Sequence, residues 1–355
     1  MNNGHGRLIG RFGAIGFAVL TASAALTSCT QTVTPPTPSP PQTSIAAPAP
    51  STSAAPTPSP TPPPAPVNPL TGLAPVPAGS VVAVKIDDTA NGRPQKGVDL
   101  ADIVYIEQAE GGLSRLVAVF ASNKPVVEPV RSVRTSDPEL LSQYGAITLV
   151  ASGGGGQSLP TLKASILNYM IDDFGDKGFS RDNNRGMPYN LQSNLATVTA
   201  DQPKGNPVQN IGFTWSATAP VGTPGSTIAT KVGGTAINFS WDSTTGKYVR
   251  VINGVKQKAA DGQPIATPNV IVQFVSVTPD SSDVDVAGHA SQYTHSIGTG
   301  AVSVFRNGQR IDGTWSRPSL TAGTTLTSAT GAPIDLAPGG TWVLLVTTGT
   351  PLTAS

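Results

Sequence analysis

The stretch "EPVRSVRTSDPELLSQYGAITLVASGGGGQSLP", residues 128–160, holds two arginines, an apolar run and four consecutive glycines. At its centre "AITLVAS" (146–152) is a short apolar, partly β-branched run bounded by glycines, which predicts a strand. Ahead of it "SDPELLSQY" (136–144) predicts a short helix, with Ser136 or Asp137 as N-cap and Pro138 at or near the first helical position. Behind it, Gly153, Gly154, Gly155 and Gly156 lead into "SLPTLKASILNYMIDDF" (158–174), where Leu159, Leu162, Ile166, Tyr169 and Met170 recur at helical spacing. That spacing predicts the strongest helix of the chain. Strand, glycine loop and helix in this order point to a mixed αβ domain.

Outward from this stretch, "SVVAVKID" (80–87), "ADIVYIEQ" (101–108) and "RLVAVFAS" (115–122) carry the same strand signature. From about residue 210 the texture changes. "TAINFSWD", "KYVRVING", "NVIVQFVSV", "AVSVFRNGQRIDGTWSR" and "TWVLLVTTG" are β-forming runs separated by Gly, Asn and Asp turns. "RNGQ" (306–309) and "INGV" (252–255) read as two-residue hairpin turns, because Asn and Gly both tolerate positive φ. The expected fold class is α+β: an N-terminal αβ domain over 68–200, followed by a mostly antiparallel β domain over 210–352.

The first 29 residues carry a different message. Arg7 and Arg11 precede the uncharged "FGAIGFAVLTASAAL", which is shorter than the roughly 18 to 20 residues of a membrane span and suits a signal-peptide core. "LTSC" (26–29) then has the form of a lipobox, with Cys29 as the lipidation site and the new N-terminus after cleavage. The alternative is a plain secretory signal with Cys29 incidental; the lipobox is favoured because Cys29 is the chain's single cysteine. Thiolate catalysis, disulfides and cysteine metal sites are thereby excluded from the folded part. Attachment by two or more acyl chains, palmitate among them, would hold the protein stably at the outer face of the cytoplasmic membrane. Residues 30–67 hold 14 of the chain's 34 prolines and no charge. Such a segment buries too little apolar surface to order itself, so it is expected to be a disordered tether reaching on the order of 100 Å when extended. Beyond it, 20 Lys and Arg face 21 Asp and Glu, and this near-neutral balance argues against nucleic acid as partner.

Candidate chemistry is therefore local. The loop "ASGGGGQSLP" can aim several backbone N–H groups at one anion, or merely permit a tight strand-to-helix turn. Arg131 and Arg134, Arg181 and Arg185, and Arg115 flank predicted loops, and guanidinium groups recur where phosphate or carboxylate is gripped in bidentate fashion. They equally serve as surface ion-pair partners. Asp87, Asp88, Glu107 and Glu110 can neutralise those arginines, or bind a divalent cation through oxygen and act as acid and base. His5 falls within the signal; His289 and His295 in "GHASQYTH" read as exposed loop or strand-edge histidines in preference to metal ligands. No Walker loop, dinucleotide fingerprint or G-x-S-x-G elbow occurs, and no cofactor is implied.

"NPLTGL" (68–73), "VAVKIDD" (82–88), "RPQKGVDLADIVYIEQAEGGLSRLVAVF" (93–120), "PVRSVR" (129–134) and "RDNNRGMPYN" (181–190) resemble the N-terminal domain of the YerB-like lipoprotein family. "WDSTTGKYVRVINGVKQKAADGQPIATPNVIVQF" (241–274) and "GTWSRPSL" through "LAPGGTWVLLV" resemble its C-terminal domain, so the likeness covers 68–350 in order. The resemblance implies two domains of unknown function on a lipoprotein signal, of the kind found in Gram-positive bacteria, with no reaction attached. It places Arg115, Arg131, Arg134, Arg181, Arg185 and Asn190 at family-typical positions, while "SGGGGQSLP" departs from the Gly-Gly-Ser-Pro-like turn usual there. The reading these features support is a non-enzymatic envelope protein binding an anionic cell-wall fragment or lipid-linked phosphate. A metal-assisted hydrolase or transferase and a scaffold for an envelope protein partner are the alternatives.

Overall fold

Three neighbouring strands set the architecture: β1 (Val82–Asp87), β2 (Ile103–Gln108) and β3 (Ser114–Phe120). They are buried on both faces, which is why their sequences run apolar without a polar alternation. Val81, Ala83, Ile103, Tyr105, Val117 and Val119 face one core, and Val82, Val84, Val104, Ile106, Leu116 and Ala118 the other. The computed structural model describes residues 36–37, 65–201, 205–284 and 288–355. The signal, Cys29 and most of the expected tether lie outside them.

Helix α1 (Asp137–Leu141) follows as expected, with Pro138 in its first turn, and β4 (Thr148–Ala151) pairs in parallel with β1. Helix α2 (Ser158–Ala164) begins after the glycines, but the long helix expected to 174 does not form. Ser165 is extended, and Asn168–Ile171 becomes strand β5, parallel to β4. The edge of β4 offers four residues' worth of unpaired backbone groups, and satisfying them outweighs the helical spacing of Ile166, Tyr169 and Met170. A third helix, α3 (Leu195–Asp201), was not legible in the apolar pattern.

The later strands are β6 (Thr227–Val232), β7 (Thr235–Asp242), β8 (Lys247–Ile252), β9 (Asn269–Val284), β10 (Ala290–His295), β11 (Gly298–Arg306), β12 (Gln309–Arg317), β13 (Thr325–Ser328) and β14 (Thr341–Thr347). Both expected hairpin turns form: Arg306 pairs Gln309 across Asn307 (φ 54°) and Gly308 (φ 70°), and Ile252 pairs Val255 across Asn253 and Gly254. The main sheet runs β13-β12-β11-β9-β14-β2-β3-β1-β4-β5. Its later half is antiparallel except at β14, which lies parallel to both β9 and β2 and joins strands from the two segments. Strands thus dominate the described residues, and the α-helices are five to seven residues long.

Both faces of the main sheet are covered. Leu140, Leu141 and Leu162 of α1 and α2 pack on one core, while Ile228, Ile237, Phe239 and Tyr248 of the smaller antiparallel sheet pack on the other. The described residues from 65 to 355 form one compact unit. A polar tie reinforces the second contact: Arg250 on β8 donates from both terminal nitrogens to Asp88 at 2.8 Å, with both side chains buried. Because β14 bonds to β2 on one side and β9 on the other, Leu344→Ala, at a fully buried position, should cost about 2–5 kcal/mol. Urea denaturation followed by near- and far-ultraviolet circular dichroism should show that loss as one shifted transition. Two separate transitions would mean that β14 does not couple the segments.

Candidate functional site

The face of β1–β3 that carries Val81, Ala83 and Tyr105 turns charged at one end. Lys85 and Asp87 continue the alternation on β1, and the register sets Asp87 beside Arg115 and Arg115 beside Glu107. Cross-strand neighbours share a face, so four ionisable side chains meet where the apolar core stops. Deepest is Lys85, fully buried, whose ammonium donates to Asp137 at 2.7 Å and to Glu107. Burial pushes the Glu107 carboxyl up to about 7 against the pull of Lys85, with Asp137 adding to the rise.

Above this layer runs the segment 129–134. Asp87 N–H donates to Pro129 O, Arg131 N–H to Lys85 O, Ser152 N–H to Arg131 O and Val133 N–H to Gly153 O, at 2.9–3.0 Å. The segment is therefore laced between the end of β1 and the start of the glycine loop, which holds Arg131 and Arg134 over one cleft. The cleft measures about 630 Å³, and its walls include Arg115, Arg131, Arg134, Glu110, Tyr189 and Asp283.

The three guanidiniums are engaged unequally. Arg134 forks onto Glu110, Nε at 2.9 Å and Nη2 closer still, and its Nη1 donates to Val133 O. Burial alone would push the Glu110 carboxyl up; Arg134 and Arg115 outweigh it and hold it below its usual range. Arg115 lies 3.8 Å from Asp87 and 3.6 Å from Glu110, contacts longer than hydrogen bonds. Arg131 has its Nε 3.1 Å from Asp87 Oδ2 and its guanidinium 5.7 Å from the Tyr189 ring centre, but makes no side-chain hydrogen bond to a described residue. Asp87 Oδ1 accepts from the Thr89 N–H at 2.7 Å, while its buried Oδ2 accepts none. Arg131 and Asp87 Oδ2 thus retain donor and acceptor capacity.

The glycine loop is approached from outside. A Cβ on Gly153 would sit 1.8 Å from Asp173 Oδ2, and one on Gly156 (φ +40°) 2.1 Å from Ser282 O. Gln157 N–H donates to Ser282 O, and Ser158 Oγ to Asp283. The glycines let the far end of β9 dock; Gly155 alone of the four lines the cleft, and Gly154 packs on Val133. Arg181 is elsewhere, 3.1 Å from Asp172 and bonded to Asn190, which is itself buried. Arg185 lines a neighbouring hollow.

Of the four carboxylates, Asp87 and Glu110 face the cleft arginines, Glu107 belongs to Lys85, and Asp88 lies on the opposite face of the sheet with Arg250. Burial pushes the Asp88 carboxyl up, and Arg250 with Ser114 more than reverses it. Among the described residues no three His, Cys, Asp or Glu side chains are grouped for a metal ion. His289 borders the cleft, while His295 on β10 is 3.0 Å from Thr278 Oγ1. Lys85, Tyr189, Asp283 and Arg250 were not singled out from sequence, and Asp137 only as a candidate helix cap. A lone lysine inside the apolar "VAVKID" was the one signal that pointed to the buried layer.

The Lys85 layer predicts a pH dependence. The folded state holds the Glu107 proton more tightly than the unfolded chain, so that contribution is fully present below pH 4.5 and is lost as pH rises through about 7. Glu107→Gln should flatten the decline over that interval, by at most about 3 kcal/mol. Urea midpoints at pH 4.5, 6 and 7.5 check this; equal slopes in both proteins would contradict it.

The N-terminal domain model of a protein of unknown function, DUF3048, matches residues 70–208, and the corresponding C-terminal domain model matches residues 227–343. The lipoprotein YerB of Bacillus subtilis (strain 168) is 26% identical over 296 residues, covering 78% of this chain and 85% of the relative. The crystal structure of YerB protein from Bacillus subtilis shares the fold, with a TM-score of 0.69 at 23% identity, covering 81% of this chain and 99% of that one. With both domain models matched in order across the strands that build the main sheet, the chain belongs to the YerB-like two-domain family.

Proposed function

We propose that this chain is a lipoprotein, anchored through Cys29 at the outer face of the cytoplasmic membrane, that binds an anionic envelope ligand without transforming it. The "LTSC" lipobox and the likeness to a lipoprotein of Bacillus subtilis support the anchor. The convergence of Arg115, Arg131 and Arg134 on one cleft carries the binding reading. Arg134 is committed to Glu110 and acts as the frame. Arg131, held against Asp87 and the Tyr189 ring with its terminal nitrogens unbonded, is the clamp, and Arg115 behind it adds charge. A guanidinium so placed presents a planar fork to a carboxylate or phosphate. The 68–200 and 210–352 segments act as one binding body in this reading, because the β9 end that carries Asp283 closes the cleft wall.

A protein-interaction scaffold is the second reading. It is favoured by one observation: each of Arg115, Arg131, Arg134, Arg181 and Arg185 lies within 4.0 Å of a carboxylate.

Isothermal titration of the full-length chain with glycerol 3-phosphate and with N-acetylmuramyl dipeptide, at low and high salt, tests the choice. Wild type should bind at least one probe in a salt-sensitive manner. Arg131→Ala should weaken it by about tenfold or more, equivalent to about 1.4 kcal/mol. Arg181→Ala, outside the cleft, should match wild type. Unaltered binding in Arg131→Ala would sink the clamp, and no binding of either probe by wild type would leave the scaffold reading standing.

A further inference from the structure

Beside the arginine cleft, on the other side of Tyr189, lies a second hollow of about 630 Å³. Its floor includes Glu128, a residue 2% exposed. The Glu128 carboxylate accepts no hydrogen bond from any described residue, and its Oε1 is wholly buried. Its nearest cation, Arg185 Nε, is 3.6 Å away, beyond hydrogen-bond reach. A buried acceptor in this condition is costly unless a donor reaches it, and Glu128 is among the residues that line the hollow.

The surroundings specify what kind of donor. Arg93, Lys96 and Arg185 are balanced by Glu128, Asp182 and Asp261, so the lining carries no net charge to select an ion. The polar groups are held in place: Arg185 donates to Pro94 O at 3.1 Å and Asn91 O at 3.2 Å, and Glu128 and Lys96 exchange backbone hydrogen bonds at 2.9 and 3.2 Å. Against these stand two carbon-rich surfaces, Tyr189 and a Met187 that is 74% exposed. An uncharged ligand with O–H donors and acceptors around its edge and C–H groups on its face answers all three features at once.

We infer that this hollow is a carbohydrate subsite, taking a pyranose ring whose hydroxyl donates to Glu128 while its C–H face rests on Tyr189 and Met187. The subsite uses residues distinct from the arginine clamp and goes beyond the anion-binding reading; Tyr189 is the wall that the two hollows share.

Saturation-transfer difference NMR on the full-length chain, with chitotriose, maltotriose and cellotriose as probes, tests it. Wild type should transfer magnetisation to the ring C–H protons of at least one glycan. Glu128→Gln keeps the shape and swaps a carboxylate for an amide, so binding should fall by about tenfold. Met187→Ser, at a position 74% exposed, should weaken binding and reduce transfer to the C–H face. Glu128→Gln, outside the arginine cleft, should keep wild-type binding of the anionic probes, which separates failure here from failure of the clamp. Transfer to none of the three glycans, or wild-type affinity in both Glu128→Gln and Met187→Ser, would overturn the inference.

Discussion

Strand β14, Thr341–Thr347, is hydrogen-bonded in parallel to β2 on one side and β9 on the other, and nearly every other feature of the protein depends on that placement. A strand drawn from the end of the chain lies at the middle of the main sheet, so the edge of β2 is closed by residues more than 230 positions away. Parallel pairing of this sort requires both faces of the strand to be covered. Trp342, Leu344 and Val346 face one core, and Val343 and Leu345 the other. The β14 insertion brings the β9–β12 ribbon alongside β1–β3, and from there the far end of β9 reaches the glycine loop.

The candidate site is a consequence of where that burial stops. On β1 the alternation that places Val81 and Ala83 in the core continues to Lys85 and Asp87, so the same face passes from apolar packing to ion pairs without changing register. Lys85 is tolerated there because Glu107 and Asp137 surround it; a buried ammonium without such partners would lose its proton or unfold the strand. The segment carrying Arg131 and Arg134 is pinned by backbone hydrogen bonds to β1 and to the glycine loop. Two layers of charge are thereby stacked, the inner one with Lys85 between two carboxyls and the outer one with donor capacity left over at Arg131.

The glycine run shows how a local motif can be right in its position and different in its use. The strand before it and the start of the helix after it are where the sequence placed them. An added Cβ at Gly153 or Gly156 would collide with Asp173 or Ser282, so the absence of side chains serves a close approach between chain segments. Gly155 alone borders the cleft, and the other three lie behind it. In the same way the arginines selected by their loop positions separate in space: Arg115, Arg131 and Arg134 meet, Arg185 belongs to the next hollow, and Arg181 stands apart with Asp172.

By itself the sequence determined the strands of β1–β4, the position of the short helix α1 though not the side-chain cap expected for it, the Asn-Gly hairpins and the β-rich later half, because each depends on side-chain pattern and turn chemistry within a few residues. Only the tertiary structure decided that 168–171 would be a strand, since its stability comes from the free edge of β4 and not from its own spacing. Only the tertiary structure likewise decided which arginine faces which acid. Asp88 and Arg250 are 162 positions apart and Thr135 and Asp280 are 145 apart, and nothing in local composition encodes such partners. Ion pairing is long-ranged along the chain and short-ranged in space, so the residue types were legible in advance and their partners were not.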